Sequence, residues 1–474
     1  MMNNYDIVCG IEVHTELLTD TKIFCSCTTR FGGAPNTQCC EICTSMPGAL
    51  PTLNKKVVEF AIRTGLALNC EITKHTKFDR KNYFYPDLPK AYQISQLYLP
   101  ICKNGWVELD SGKRIRIKEL HMEEDAGKLI HKGDSTLINY NRCGVPLLEI
   151  VSEPDIATPE EAAQYTKKLR DILRFCGVSD CKMQEGSLRA DVNVSVKPCG
   201  AEILGTRTEM KNINSFKAIQ SAVESEAKRQ TELLENGGTV RQETRRWDDR
   251  KNTSFAMRIK EEAQHYKYFP EPDIPPITLT DEYIESIRRT LPELPDAKKK
   301  RYVSELGITK YDADIICSDM AYITLFEKTA ALTNSPKDSA NWIMGEVMHH
   351  LSEAQTLPED MRFRTESLGE IINLLGSGKI SRATAKEVFE RVFYDNVLPE
   401  EYIKANGLYL ENNTAEIKKV AAEVIAENPK AVSEYKGGKQ KAVGFLIGQA
   451  MKKLGGKASA TEVSDTIKRL LIQD

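Results

Sequence analysis

Gly10-Ile11-Glu12-Val13-His14-Thr15-Glu16-Leu17 alternates between apolar and polar side chains. Successive side chains of an extended strand point to opposite faces, so Ile11, Val13, Thr15 and Leu17 share one face and Glu12, His14 and Glu16 the other. Groups on the polar face then recur every ~6.5–7 Å, a spacing that suits ligands arrayed around hard cations and a phosphate. The pattern returns at Leu188–Lys197. There Leu188, Ala190, Val192, Val194 and Val196 alternate with Arg189, Asp191, Asn193, Ser195 and Lys197. Thr206–Lys211 sets Arg207, Glu209 and Lys211 against Thr208 and Met210. His121-Met122-Glu123-Glu124-Asp125-Ala126-Gly127-Lys128 adds a carboxylate-dense segment ending in a flexible Gly-Lys. Short alternating runs separated by Gly, Pro, Asn and Asp predict a β-rich α+β domain.

A face that carries many carboxylates among Arg and Lys is what magnesium-dependent phosphoryl transfer requires. Carboxylates hold the metal, the metal bridges phosphate oxygens, and basic side chains balance developing charge. The same alternation also describes the solvated outer face of a half-buried sheet. His14 between two glutamates, and the recurrence in several segments, point toward chemistry. There is no G-x-x-x-x-G-K-[ST] loop and no strand–G-x-G-x-x-G–helix fingerprint. A nucleotide used here would therefore lie on a metal-lined sheet rather than at a helix N-terminus.

Within this region one helix is clear. Thr158 precedes Pro159-Glu160-Glu161, the apolar stripe runs through Ala162, Tyr165, Leu169, Ile172 and Leu173, and Gly177 ends it. The proline-dense stretch Tyr268–Pro276 is a stiff connector, and from about Asp281 the sequence is helical. A second break falls near Asn396-Val397-Leu398-Pro399. The expected division is thus residues 1–280, 281–397 and 398–474. Three compact helices are expected in the last part. Asn413 and Glu416 cap the first; the second carries Val443, Leu446, Ile447, Ala450, Met451 and Leu454 up to Gly455-Gly456; Ser459 and Glu462 cap the third.

The 474 residues, 41% hydrophobic and 28% charged, are ordinary for a globular protein of several domains. The net charge of −3 argues against a protein that coats nucleic acid, though not against a local basic patch. No apolar run approaches the ~18 residues of a membrane span, and the start, Met1-Met2-Asn3-Asn4, has no leader character. Thirteen scattered cysteines do not form a secreted disulfide framework, which points to a reducing cytoplasm. Four of them, Cys25-x-Cys27 and Cys40-x-x-Cys43, fit a tetrahedral structural zinc site. Buried thiols without metal are the alternative, and Cys39 competes as a sulfur donor.

Two further segments suit nucleic acid. Lys77–Asp87 mixes cations with aromatics that can stack on bases; Arg80, Lys81, Tyr83 and Tyr85 are the residues expected to meet ATP or an RNA acceptor end. The same aromatics would equally fill a core. Glu434–Asp474 holds eight basic and four acidic side chains, a local balance of +4 in an acidic chain. Lys439, Lys441, Lys452 and Lys453 are the expected phosphate-backbone contacts, a solvated helical face being the alternative.

Several motifs go beyond this. G-I-E-V-H-T-E-L, then R-K-N-Y-F-Y-P-D-L-P-K-A-Y-Q-I-S-Q (Arg80–Gln96), H-M-E-E-D-A-G-K, L-E-I-V-S-E-P-D (Leu148–Asp155), the segments around Gly186–Val196, E-T-R-R-W-D (Glu243–Asp248), Y-F-P-E-P-D (Tyr268–Asp273) and V-G-F-L-I-G-Q-A-M-K (Val443–Lys452) closely resemble the B subunits of the bacterial aspartyl/glutamyl-tRNA amidotransferases, the GatB/GatE family. The resemblance spans nearly the whole chain in order. It implies a cradle with a glutamine-synthetase-like fold, a helical domain and a small tRNA-contacting tail.

The activity it implies is the ATP-dependent transamidation of misacylated glutamyl- or aspartyl-tRNA. The side-chain carboxylate is phosphorylated, and ammonia from a separate amidase subunit (A) displaces the phosphate. A small subunit (C) completes a heterotrimer. Magnesium ligation and catalysis are carried over to Glu12, His14, Glu124 and Asp191, with Glu123, Glu149, Glu185 and Glu209 as further metal or channel residues. The zinc knuckle is carried over to Cys25, Cys27, Cys40 and Cys43. Gln264-His265 and Lys267 depart from the family's Asp and Arg, and a lysine cannot reproduce bidentate arginine binding. Ser459-Ala460 replaces a common Asn-Pro in the tail. A metal-dependent hydrolase with the same acidic face, or a non-catalytic tRNA adaptor, are the competing classes. A need for ATP excludes the first, and loss of amidation in Glu124→Gln the second.

Overall fold

The structure, a computed structural model, describes residues 4–259, 266–410, 414–437, 439, 441–454 and 458–473. Asn413, Gly455-Gly456 and Gln264-His265 lie outside them. The chain forms two compact units, Met1–Pro295 and Asp296–Asp474.

The first unit is built on a nine-stranded mixed sheet, the second is helical, and the fold class is α+β. The strand Tyr5–Glu16 lies near the middle of the sheet, antiparallel to Pro146–Ser152 on one side and to Leu188–Pro198 on the other. Arg114–Glu124 follows beyond Pro146–Ser152, and Thr208–Ile213 beyond Leu188–Pro198. The alternation of the sequence becomes two faces. Ile11, Val13, Thr15, Met122, Leu148, Ile150, Ala190 and Val192 are buried and belong, apart from Thr15, to one apolar core. Each such large aliphatic side chain contributes ~1.5–3 kcal/mol on burial. Thr15, polar among them, donates its hydroxyl to Ser179 Oγ at 2.8 Å.

Three helices ahead of the proline-dense connector contribute to this core, Lys55–Ala67, Pro159–Phe175 and Phe216–Glu235, and Asp281–Arg288 adds Ile284 and Ile287. The middle one starts on its Thr158 cap, as its sequence requires. The other two correct the reading of a single clear helix. Lys55–Ala67 is apolar and β-branched around Val57, Val58 and Ile62, which resembles a strand. In Phe216–Glu235 the buried stripe is interrupted by Glu226, Gln230 and Thr231. Burial is tolerated because Arg229 clamps Glu226 with two hydrogen bonds, 2.6 and 2.8 Å, and Gln230 Nε2 donates to the carbonyl of Val194 at 3.0 Å.

In the second unit, Thr414–Glu427, Ala442–Lys453 and Ala460–Gln473 share a core of Ile417, Ala421, Val424, Leu446, Ala450, Val463, Ile467 and Leu471. The short helix Pro429–Lys436, which the sequence reading omits, also packs against that core through Ala431, Val432 and Tyr435. Among the described residues no helix is long and apolar enough to cross a membrane.

Candidate active site on the polar face of the sheet

Strand register builds the site. His14 stands opposite Arg189 on one neighbour and Glu149 on the other, and Glu149 stands opposite His121. Glu12 pairs with Asp191 one step along the same face. Imidazole Nε2 of His14 lies 3.3 Å from Glu149, 3.5 Å from Glu123 and 3.7 Å from Glu12. His121 Nε2 reaches Glu149 at 3.1 Å. Donor atoms of Glu12, His14 and Asp191 converge within 4.8 Å, as do those of His14, Glu123 and Glu149.

The electrostatics follow from so many carboxylates in so little water. Burial, then Glu149, push the Glu12 carboxyl up to about 7. Burial and Glu149 also raise Glu123. Burial opposes a charge on His14, but Glu149, Glu123 and Glu12 outweigh it and carry the imidazole up to about 9. His121 is likewise raised against its burial by Glu149. Glu149, despite burial, is held well below the usual carboxylate range by His121 and His14.

Protons retained on Glu12 and His14 stand where the face lacks positive charge. A divalent cation with oxygen and imidazole ligands fits this donor set. The sign of the pH dependence follows. The folded protein binds more protons than the unfolded chain from about pH 4.5, where an unfolded Glu12 ionises, through about 9, where His14 deprotonates. In magnesium-free buffer the melting temperature should therefore be highest near pH 4.5 and fall from there toward pH 9. Added magnesium should flatten that fall. A melting temperature that rises across this range would contradict the arrangement.

Cations rim the cluster. Lys211 pairs with Asp191 and lies 3.4 Å from Glu209, which also accepts from Thr244 Oγ1 at 2.8 Å. Lys81 lies 5.3 Å from the ring centroid of Tyr266 and 5.9 Å from that of Tyr83. Burial opposes its charge, but Tyr268, Glu123 and Glu149 keep it protonated. Tyr83 packs edge-on against both Tyr85 and Tyr266, and Tyr266 against Tyr268.

Other residues singled out by the sequence lie elsewhere. Glu124 does not join Glu12, His14 and Asp191. Its carboxylate pairs with Lys90 and accepts the backbone N–H of Ile94 at 2.9 Å. It borders a cavity of about 30 Å³ shared with Lys22, Cys43 and Lys90, space for about one water. Arg80 is engaged within the chain: Glu271 takes two hydrogen bonds at 2.6 and 3.0 Å and Asp273 one at 2.7 Å, and its guanidinium lies 4.3 Å from the centroid of Tyr92. Tyr83 donates to Gln93 at 3.4 Å, and Tyr85 is about half exposed. Glu185 sits in an exposed turn with Lys182. In the tail Lys441 and Lys452 are exposed, Lys439 lies 3.7 Å from Glu434, and Lys453 pairs with Glu427 at 2.7 Å. His121 is the residue the sequence reading passed over; counting by two from Glu123 places it on the same face.

The four sulfurs of Cys25, Cys27, Cys40 and Cys43 also lie within 4.8 Å of one another, an arrangement that fits a structural metal. Hydrogen bonding from Cys25, then from the Cys40 N–H, with the Lys22 ammonium beside it, lowers the Cys43 thiol to about 4 against its burial. Burial pushes Cys27 up to about 12.

Comparison with known proteins decides the lineage. Residues 7–285 match the GatB/GatE catalytic domain and residues 324–471 the GatB domain. The B subunit of the aspartyl/glutamyl-tRNA(Asn/Gln) amidotransferase of Lachnoclostridium phytofermentans is 55% identical, over 99% of this chain and 99% of that one. The chain belongs to this GatB/GatE family. The Caldanaerobacter subterraneus relative of the same name is 54% identical over 96% of this chain and 97% of its own, and that of Thermoanaerobacter pseudethanolicus 54% over 98% and 99%. The family's catalytic-domain match contains every residue of the acidic face.

Proposed function

We propose that this chain is the ATP-using, tRNA-binding subunit of a cytoplasmic amidotransferase that converts glutamyl- or aspartyl-tRNA into the matching amide-charged tRNA. Its partners are an amidase subunit and a small third subunit. The observation that supports this most is the convergence of Glu12, Glu123, Glu149 and Asp191 on His14, rimmed by Lys81 and Lys211. A free carboxylate resists ammonia because it has no leaving group. Transfer of the γ-phosphoryl group of ATP to the side-chain carboxylate releases ADP and gives an acyl phosphate. Ammonia then attacks the acyl carbon, and inorganic phosphate departs as the amide forms.

Glu12, His14 and Asp191, with Glu123 and Glu149 alongside, would hold the magnesium. When bound, that ion supplies charge neutralisation at phosphate oxygens. The chain's own residues set the stage. His121 and His14 hold Glu149 ionised and oriented, and Lys81 and Lys211 add positive charge at the rim. Tyr83, Tyr266 and Tyr268 supply an aromatic wall beside Lys81 against which a base can stack. In this reading residues 1–280 are the catalytic cradle with its zinc knuckle, 281–397 a helical domain, and 398–474 the tRNA-binding tail. Lys439, Lys441, Lys452 and Lys453 meet the phosphate backbone there.

With its partners, free ammonium and charged tRNA, the chain should hydrolyse ATP in a tRNA-dependent manner and form amide, both requiring magnesium. Amide formed without ATP, or ATP consumed without charged tRNA, would overturn the reading. Ending the chain after Val397 should weaken tRNA binding and make its salt dependence shallower, because each lost lysine–phosphate contact removes about one released counterion. Titrations at several salt concentrations check this, and unchanged affinity and slope would place tRNA recognition outside the tail.

A further inference from the structure

We propose that Arg142 and Arg189, clamped side by side by the buried carboxylate of Asp125, form an oxyanion-binding pair at the edge of the acidic face. The ligand class is a phosphoryl or carboxylate group of the reacting substrates. The inference rests on the ATP-dependent reading above and gives that site its anion-recognising element.

The clamp is built from backbone as well as side chains. Asp125 directly follows the strand Arg114–Glu124, and its own N–H and carbonyl bond to Val145 and Gly144 at 2.9 Å each, so the turn carrying Arg142 is fixed to it. Arg142 Nη2 donates to Asp125 Oδ1 at 3.0 Å, and its Nε lies 2.6 Å from Oδ2. Arg189 Nη2 donates to Oδ2 at 3.1 Å. Asp125 also accepts the N–H of Ala126 at 2.9 Å, which saturates a side chain only 5% exposed.

One carboxylate thus holds two guanidinium groups. The only other acid within ion-pair reach of either is Glu16, 3.7 Å from Arg142, among the described residues. The arginines are not spent. Among the described residues Arg189 makes a single hydrogen bond, its buried Nε has no partner, and the Nε of Arg142 lacks a well-directed one. Yet their side chains remain 33% and 36% exposed. A guanidinium offers a planar fork of donors matched to carboxylate and phosphate oxygens. Two forks held together, each with one open side, present a surface for such an anion.

Register sets their place relative to the acidic cluster. Arg189 lies directly across from His14 and two residues before Asp191 on the same face, one side-chain step of ~6.5–7 Å from it. An oxyanion on the arginines therefore lies alongside the carboxylates that suit a cation. Positive groups on both flanks of a transferring group stabilise its developing charge.

The test uses the assembled complex with ammonium as nitrogen source, and Arg189→Met and Arg189→Lys in this chain. KM and kcat are determined separately for ATP and for charged tRNA. If the pair holds the phosphoryl group, Arg189→Met raises KM for ATP, or lowers kcat, by about tenfold to a hundredfold and leaves KM for charged tRNA alone. If it holds the substrate carboxylate, KM for charged tRNA rises instead. In either case Arg189→Lys restores part of the loss, because it keeps the charge but not the fork. Both variants within twofold of wild type on every parameter would overturn the proposal. So would a Met loss accompanied by a fallen melting temperature with Lys fully active, since that pattern marks a structural role. A wild-type complex without tRNA-dependent ATP turnover would instead remove the functional reading itself.

Discussion

Replacing Glu149 by glutamine is expected to lower amide formation and tRNA-dependent ATP hydrolysis by at least about a hundredfold, with tRNA affinity unchanged. Glu149 is the hub of the face: His14 lies 3.3 Å and His121 3.1 Å from its carboxylate. Burial works against its ionisation, and the two imidazoles reverse that outcome. A glutamine keeps the shape and loses the charge. His14 and His121 then lose the largest electrostatic support for their protons, and the face loses an anionic donor next to Glu123. Steady-state kinetics with a melting curve for each protein separate lost chemistry from lost fold. A Glu149→Gln complex at wild-type rate would sink the assignment.

Glu124→Gln makes the informative comparison. In this geometry the Glu124 carboxylate serves Lys90 and the N–H of Ile94. Its loss unpairs a lysine that is 11% exposed, at a cost of ~1–3 kcal/mol in stability. Its effect should fall first on melting temperature, with a smaller loss of rate than Glu149→Gln shows. Equal losses of rate would return Glu124 to the metal ligands that the family pattern assigns.

These two glutamates show what the sequence made legible. Alternation is local, so Glu12 and His14 could be put on one face by counting in twos; Asp191, on another strand, joined them only through the family resemblance, and the structure brings the three donor groups together. What joins Glu149 and His121 to them is register between strands more than a hundred residues apart in the chain, as in His14 opposite Glu149. No local period encodes that. Counting in twos from His121 does separate Glu123 from Glu124; the motif, taken as a block of acids, hid the difference. Arg80 is a related case. Beside Lys81 and Tyr83 it resembles a ligand contact, but its partners Glu271 and Asp273 arrive from far along the chain in the Tyr268–Asp273 motif. The helix Phe216–Glu235 was obscured by buried Glu226 and Gln230; Arg229 pairs Glu226 within the helix, but Gln230 is satisfied by the carbonyl of Val194, far away in the chain.

The purified chain is expected to carry one zinc ion, and its removal should destabilise the first unit by ~3 kcal/mol or more. A zinc–sulfur bond of ~2.3 Å places tetrahedral sulfurs ~3.8 Å apart, and the four sulfurs of Cys25, Cys27, Cys40 and Cys43 are already gathered within 4.8 Å. Little rearrangement is then needed to close the site. Without the ion, one thiolate, Cys43, is supported mainly by Cys25 and the Cys40 N–H, with Lys22 at 3.5 Å. Lys22 is itself fully buried, so the loop would have to hold a buried ammonium against a single thiolate. Structural zinc supplies ~10–16 kcal/mol of apparent binding free energy in zinc-finger peptides. If only ~3 kcal/mol of that reaches the fold of the first unit, the melting temperature falls by roughly 6–12 °C. Cys40→Ser with Cys43→Ser should reproduce the fall, whereas Cys39→Ser should retain the metal, because Cys39 stands outside the four-sulfur group. Metal analysis of protein purified under reducing conditions decides the matter: one zinc per chain that is lost with the double variant supports the site, and a zinc-free preparation with an unchanged melting temperature after chelation would end it.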